Sequence, residues 1–362
     1  MKFAFFGSSL VSAYWNGAAT YYRGIIKAMH ERGHEVTFYE PDAYDRQKNR
    51  DIDDPDYATV RVYDANEESV AKVLEEAREA DVLVKTSGVG VLDQFLEEEV
   101  LKLQDENRFV IFWDVDAPAT LDRVKSDSED YFRKLIPQFD LVLTYGGGDP
   151  VVSTYKSFGA RHCFPIYNAL DPSTHHPVAA DARFEGDLAF LGNRLPDREK
   201  RVEEFFLNVA ADMPQTKFIL GGSGWQDKHM PGNVNYIGHV YTKDHNALNC
   251  SPKAVLNISR DSMASYGFSP ATRVFEAAGA GACIITDYWL GIDFFFEPGK
   301  EILVARSGAE VKEILSGLTH EKARAIGDAA LQKVLAKHTY FNRAIELDAL
   351  LEKYLVRENI GA

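Results

Sequence analysis

Cysteine is scarce: the 362 residues hold three, Cys163, Cys250 and Cys283, far apart and each in an apolar setting. An odd, dispersed set excludes a disulfide framework and the paired spacing of a structural zinc site, so reduced core thiols and no metal are expected. Positive charge is also short, with 40 Lys and Arg against 55 Asp and Glu and a net charge of -15. Nucleic-acid backbones and anionic membrane surfaces are held by clustered cations, so neither is an expected partner. No apolar run approaches bilayer-spanning length, and "MKFAFFGSSL" lacks the basic start and long apolar middle of a secretory leader. A cytoplasmic location without a transmembrane segment is expected. The chain has no tandem repeat or low-complexity tract, and no G-x-G-x-x-G, which argues against a dinucleotide oxidoreductase.

What is present is an ordinary globular composition, 45% hydrophobic and 26% charged, in a chain long enough for two cores. "KFAFFG", a helical stretch closed by Gly33, and "EVTFYE" make a β-α-β opening. "ADVLVKTSG", "RFVIFWD" and "FDLVLTYGGG" continue it, alternating with helical stretches such as "ESVAKVLEEAREA". After the aperiodic "HCFPIYNALDPSTHHPVAADARFEGD" the pattern restarts at "LAFLGNRLPDREKRVEEFF", and "KFILGGSGW", "NVNYIGHV", "AVLNIS", "ACIITD" and "EILVA" supply further strands. This alternation predicts an α/β fold of two Rossmann-like, doubly wound domains facing a cleft. The expected divisions are 1–168, a linker over 169–182, a second domain over 183–337, and a C-terminal helix over 338–362 that can cross back to the first domain. "NRDIDDPDYATV" is expected to be a solvated loop.

One stretch keeps a carboxylate among small and apolar residues: "SPATRVFEAAGAGACIITD", with Glu276 inside it. Ser269 as N-cap and Pro270 at the first helical position predict a helix start, whose free N–H groups suit a phosphate. Thr272, Arg273 and Glu276 share one face, and a carboxylate there can accept hydrogen bonds from vicinal hydroxyls. A Glu paired with a neighbouring Arg, or facing water, fits the pattern equally. "GGSGW" and "YIGHV" are strand-end turns where a base could lie: Gly222 permits close approach, and Trp225 or His239 could stack, although packing roles fit both aromatics as well. Asn16 and Gly17 lie in the loop "GSSLVSAYWNGAATYY", where a backbone could approach a ligand. His34, His175 and His176 have no metal-ligand spacing.

Three of these segments resemble one family. "NALDPSTHHPV" is similar to the interdomain segment of GT-B glycosyltransferases, "AFLGNRLPDREKRVEEFF" to the first strand and helix of their donor domain, and "ATRVFEAAGAGACIITDYWLGIDFFFEPGKEILVA" to their nucleotide-sugar segment. The likeness is nearest to CgeB-like (spore-maturation type) members, themselves similar to the retaining family-4 enzymes. It implies a nucleotide-sugar donor, UDP first among the nucleotides, and an acceptor that could be a glycan, a protein or a small molecule. Glu276 stands where the family glutamate holds the ribose. Arg198, following the Gly192 turn, is implied for the diphosphate with Arg194 beside it, and Ser269, Ala271 and Thr272 for backbone contacts. Fixed cations and helix-end N–H groups can stabilise the leaving diphosphate without a metal. The family-4 pattern has a second glutamate eight positions earlier, where this chain has Phe268, which leaves the sugar and stereochemical outcome open. In "FWDVDAP", Asp114 and Asp116 form the Asp-x-Asp that holds a divalent metal in another glycosyltransferase class. Here one carboxylate, with Asp116 preferred, is expected to serve the acceptor hydroxyl, with helix capping the equal alternative. A sugar-nucleotide epimerase and an inactive nucleotide-sugar-binding homologue are the competing readings.

Overall fold

The computed structural model describes residues 1–14 and 16–354, so Trp15 and residues 355–362 of the expected final helix lie outside the described residues. The chain divides into two compact units, one of Met1–Tyr167 with the chain from Tyr340 on, the other of Asn168–Thr339. Among the described residues no helix is long and apolar enough to cross a membrane.

The first unit is built on seven parallel strands: β1 (Lys2–Phe6), β2 (Glu35–Asp42), β3 (Thr59–Asp64), β4 (Val82–Thr86), β5 (Phe109–Asp114), β6 (Leu141–Thr144) and β7 (Cys163–Pro165), in the spatial order β3-β2-β1-β4-β5-β6-β7. The inner strands β1, β4, β5 and β6 are buried along nearly their whole length because helices cover both faces of the sheet. Phe5, Phe38, Tyr21, Tyr22 and Trp113 pack together in this core. Their polar ends are chained: Trp113 Nε1 donates to Tyr21 Oη at 3.1 Å, and Tyr21 Oη to the Ile166 carbonyl at 2.6 Å. The Tyr340–Tyr354 helix packs on the Ala19–Glu31 helix, and Gly24 makes this possible, since a Cβ there would lie 2.2 Å from the Tyr340 ring. Asp348 fixes the other end by accepting from Arg32 and, at 2.7 Å, from His34.

The second unit has six parallel strands, β8 (Leu188–Leu191), β9 (Phe218–Gly221), β10 (Val234–Gly238), β11 (Ala254–Asn257), β12 (Ile284–Asp287) and β13 (Leu303–Ala305), in the order β10-β9-β8-β11-β12-β13. Both units thus contain the Rossmann order 3-2-1-4-5-6 in their own numbering. Such sheets bind ligands beyond the strand C-termini, at the point where the order reverses. In the second unit that point lies between β8 and β11.

β3 and β7 were not among the expected strands. β3 begins inside the stretch predicted to be a solvated loop, and of its six residues only Tyr63 is buried. As an edge strand it is covered on one side only. β7 is three residues long and falls in the aperiodic segment.

Candidate functional site

The turn leaving β8 is held rigidly. Gly192 N donates to the Gly221 carbonyl at 2.9 Å, and the Gly192 carbonyl accepts from Trp225 Nε1 at 2.7 Å. Gly222, at φ +120°, lies so close that a Cβ would sit 2.3 Å from that carbonyl oxygen, which only glycine tolerates. A Cβ on Gly192 itself would lie 2.8 Å from the Arg198 guanidinium, which is folded over the turn. Arg198 is 7% exposed; its Nη2 donates to the Asn193 carbonyl at 2.7 Å and its buried Nε has no acceptor. Its guanidinium lies 5.6 Å from the Phe190 ring centre, and that of Arg273 lies 5.7 Å from the same ring. Neither arginine has an ion-pair partner among the described residues. Burial, and after it the neighbouring Arg273 charge, push Arg198 down to about 10. Burial lowers Arg273 as well, against the pull of Glu276. Two cations brought together without carboxylates form a site short of negative charge.

Arg273 sits in the first turn of the Thr272–Gly279 helix. The N–H groups of Thr272 and Arg273 have no acceptor among the described residues, so the positive end of this helix is open. Glu276, half-buried one turn on, accepts no hydrogen bond among the described residues. Its Oε1 lies 3.9 Å from His175 Nε2. The His175 ring is 6.3 Å from that of His245, whose Nε2 meets the Val240 carbonyl at 3.3 Å and whose imidazole is pushed down by burial. Past the end of β10, His239 is exposed and stands edge-on to the exposed Tyr241 at 4.7 Å.

The structure therefore gathers Gly192, Arg198, Gly222, Ala271, Thr272 and Arg273, with Glu276, around the switch point of the second unit, and His239 at the end of β10. Other expectations need correction. Trp225 is fully buried and bonded to Gly192, so it supports the turn and has no face free for stacking. Arg194 is neutralised by Glu199 at 2.8 Å and Asp227 at 2.9 Å, which raise its pKa. Ser269 does not cap the helix: its hydroxyl donates backward to the Gly267 carbonyl at 3.0 Å, and the N-cap is Ala271 with no side-chain bond. Phe268, at φ +45°, donates its N–H to the Leu290 carbonyl at 2.6 Å and lays its ring against Gly291.

In the first unit, Asn16 is buried and fully engaged within its own loop, accepting from Ser8 Oγ at 2.9 Å and donating to the carbonyls of Ser9 and Ser12 at 2.8 and 3.0 Å. It shapes the loop, and both of its side-chain amide hydrogens are used there. Gly17 is exposed, with nothing near its Cβ position. Asp114 is fully buried: its carboxylate accepts from Asp116 N at 3.0 Å, Thr120 Oγ1 at 3.1 Å and Tyr155 Oη, and burial, outweighing these bonds, raises its pKa. It is closed to metal and acceptor alike and fixes the entry to the Ala117–Ser126 helix through Asp116 N and Thr120 Oγ1. Asp116 occupies the N-cap position but makes no capping bond and is exposed.

Sequence reasoning passed over His175 and Phe190. The signal for His175 was the segment "NALDPSTHHPV" itself, quoted as a likeness but not as a source of side chains for the site.

Solved structures with the same fold are known. Over 98% of its length the chain superposes on 99% of a sucrose-phosphate synthase from Thermosynechococcus elongatus, with a TM-score of 0.70 at 15% identity. The chain has the GT-B fold. The Anabaena protein HepE, solved in complex with UDP-glucose, matches 98% of this chain over 100% of its own, with a TM-score of 0.65 at 15% identity. The T4 phage enzyme BGT, solved with its UDP-glucose substrate, matches 98% of this GT-B chain over 99% of its own, with a TM-score of 0.59 at 13% identity. Residues 198–349, which begin at Arg198 and include Arg273 and Glu276, match the family described as "Glycosyl transferase-like". No curated protein matches the chain by sequence.

Proposed function

We propose that this protein is a glycosyltransferase that takes a sugar from a UDP-sugar bound by its second unit. The carrying observation is the pair on Phe190, a buried Arg198 and a half-buried Arg273 that have no ion-pair partner among the described residues, beside an open helix N-terminus and one turn from Glu276. The match of residues 198–349 to a glycosyltransferase-like family, and the UDP-glucose held by HepE and BGT, support the same reading. The diphosphate lies at the arginines and the Thr272 and Arg273 N–H groups, the ribose at Glu276, and the base toward Gly238 and the exposed His239. When the bond between the sugar carbon and the diphosphate oxygen breaks, its electron pair stays on that oxygen, and the two fixed cations stabilise the developing charge. The acceptor oxygen bonds to the sugar carbon and its proton passes to a base, for which Asp116, exposed at the end of β5, is the candidate. Transfer is proposed to be metal-independent because the arginines supply the positive charge. The CgeB-like relationship and the cytoplasmic location belong to the same proposal, the latter supported by three free cysteines, with burial pushing the Cys163 and Cys283 thiols up to about 12.

The test is a thermal-shift comparison of UDP with uridine. UDP is expected to raise the unfolding temperature well above uridine at equal concentration, and Arg198→Ala to abolish most of the difference. Equal shifts from the two compounds, or an unchanged difference in the variant, would overturn the diphosphate site. Phe268 favours a second reading, nucleotide-sugar binding without transfer, since an apolar ring on Gly291 stands where family-4 enzymes place a glutamate. UDP-sugar binding with no turnover, on any acceptor or water, would select it.

A further inference from the structure

We propose that His175 and Glu276 form one clamp for the two vicinal hydroxyls of the ribose, so that His175 contributes to the choice of ribonucleotide over deoxyribonucleotide. This rests on the assignment of Glu276 to the ribose. The segment carrying His175 is fastened along the Thr272–Gly279 helix at three points. Asn168 Nδ2 donates to Thr272 Oγ1 at 2.8 Å, His175 faces Glu276, and Gly279 has no room for a side chain, since a Cβ would lie 2.4 Å from Leu170 Cδ1 and 3.1 Å from the His175 carbonyl oxygen. The imidazole is also oriented at its far nitrogen. Thr174 Oγ1 donates to the Asp171 carbonyl at 3.0 Å and lies 3.0 Å from His175 Nδ1. With its hydrogen used there, the Thr174 oxygen faces Nδ1 as an acceptor, which places the hydrogen of the neutral ring on Nδ1 and a lone pair on Nε2.

On that tautomer Nε2 is a buried acceptor with no hydrogen-bond partner among the described residues, on a residue 7% exposed. At 3.9 Å from Glu276 Oε1 it is too distant for a hydrogen bond, and the carboxylate has no donor among the described residues either. Two neighbouring acceptors call for two neighbouring O–H donors. A cis-diol presents them on adjacent carbons, the 2′-hydroxyl to His175 Nε2 and the 3′-hydroxyl to Glu276. A buried acceptor left without its donor costs free energy, and this is how such a site rejects a ligand lacking the hydroxyl. A single bridging water would also satisfy the pair but would give no preference between ribose and deoxyribose.

The experiment is titration calorimetry of the full chain with UDP and 2′-deoxy-UDP. Wild type is expected to prefer UDP by about tenfold or more, the size of one or two hydrogen bonds with a charged member. His175→Phe, which keeps a ring against His245, should weaken UDP by about tenfold while leaving 2′-deoxy-UDP nearly unchanged, and His175→Gln, which restores an acceptor, should recover part of the preference. Full retention of the preference in His175→Phe overturns the proposal, as does an equal loss for both nucleotides, which marks a packing role. Glu276→Gln separates the two readings. If it erases the preference while His175→Phe does not, the ribose assignment stands and the role of His175 falls. With the 3′-hydroxyl on Glu276, Glu276→Gln is otherwise expected to weaken both nucleotides alike; if wild type shows no preference, or Glu276→Gln weakens neither nucleotide, the ribose assignment itself falls.

Discussion

At the residue scale, Arg198 is stabilised by the fold only weakly. It is buried against Phe190 and Gly192, has one unpaired nitrogen and stands near a like charge, which is why its pKa falls to about 10. A cation with a lowered folded pKa favours the neutral form on folding. The charged form therefore costs stability at every pH below about 10, and the cost is relieved only as pH rises through that value. Arg198→Met keeps the length and packing while removing the charge, and should stabilise the ligand-free protein by about 1–3 kcal/mol at neutral pH in urea unfolding. The same variant should lose most of the stabilisation by UDP. A variant less stable than wild type would show that the guanidinium is satisfied in the free protein and held for folding. The sequence marked this arginine only through a family likeness, because "NRLPDREKR" reads as a charged surface face until the chain folds it over Gly192. Arg194, four residues earlier, looked equivalent and is a surface ion-pair member.

At the scale of elements, the strands that could be read in advance are those covered on both faces, such as "KFAFFG" and "ACIITD", whose unbroken apolar runs reflect full burial. The two missed in the first unit, β3 and β7, are its edges: "TVRVYD" buries one residue and "CFP" is too short to show a period. Helix boundaries failed for a local reason. Ser269 and Pro270 have the right chemistry for a helix start, but the left-handed backbone at Gly267 and Phe268 turns the Ser269 hydroxyl back on Gly267 and delays the helix to Thr272. Gly279 brings its helix close to the segment that precedes the second sheet, since the near neighbours at its Cβ position are Leu170 and His175. Gly279→Ala gains up to about 1 kcal/mol of helix propensity but meets Leu170 at 2.4 Å, and overpacking of that kind costs about 1–3 kcal/mol. Net destabilisation and weaker UDP binding are expected. Leu170→Ala opens the space, so the double variant should be less destabilised than the sum of the two singles in chemical denaturation. Simple additivity would mean that the two side-chain positions do not compete for space.

At the scale of the whole molecule, the first unit is discontinuous in sequence: strands β1–β7 finish by Pro165, and the Tyr340–Tyr354 helix that covers the Ala19–Glu31 helix comes from the far end of the chain. A hydrophobic pattern announces that this helix exists, but its destination is set by particular contacts, Tyr340 over Gly24 and Asp348 between Arg32 and His34. Burial acts to raise the Asp348 carboxyl, but the hydrogen bonds and charges of Arg32 and His34 prevail and hold it below the ordinary value of 3.8. A carboxyl with a depressed folded pKa contributes stability that is fully present above its unfolded value and is lost as pH falls through the folded one. Asp348→Asn keeps the shape and removes the charge, so it should destabilise the protein by about 1–2 kcal/mol at neutral pH, with the loss appearing in the first unit. The gap between variant and wild type should begin to narrow as pH falls below about 4 and close below the depressed folded pKa, where both carry a neutral side chain at 348. Hydrogen exchange at neutral pH should show faster opening in residues 340–354 and in the Ala19–Glu31 helix of the variant, with the strands β8–β13 unaffected. A gap that stays constant into acid would mean that the carboxylate charge does not fasten the chain's end, and that the packing of Tyr340 on Gly24 does so alone.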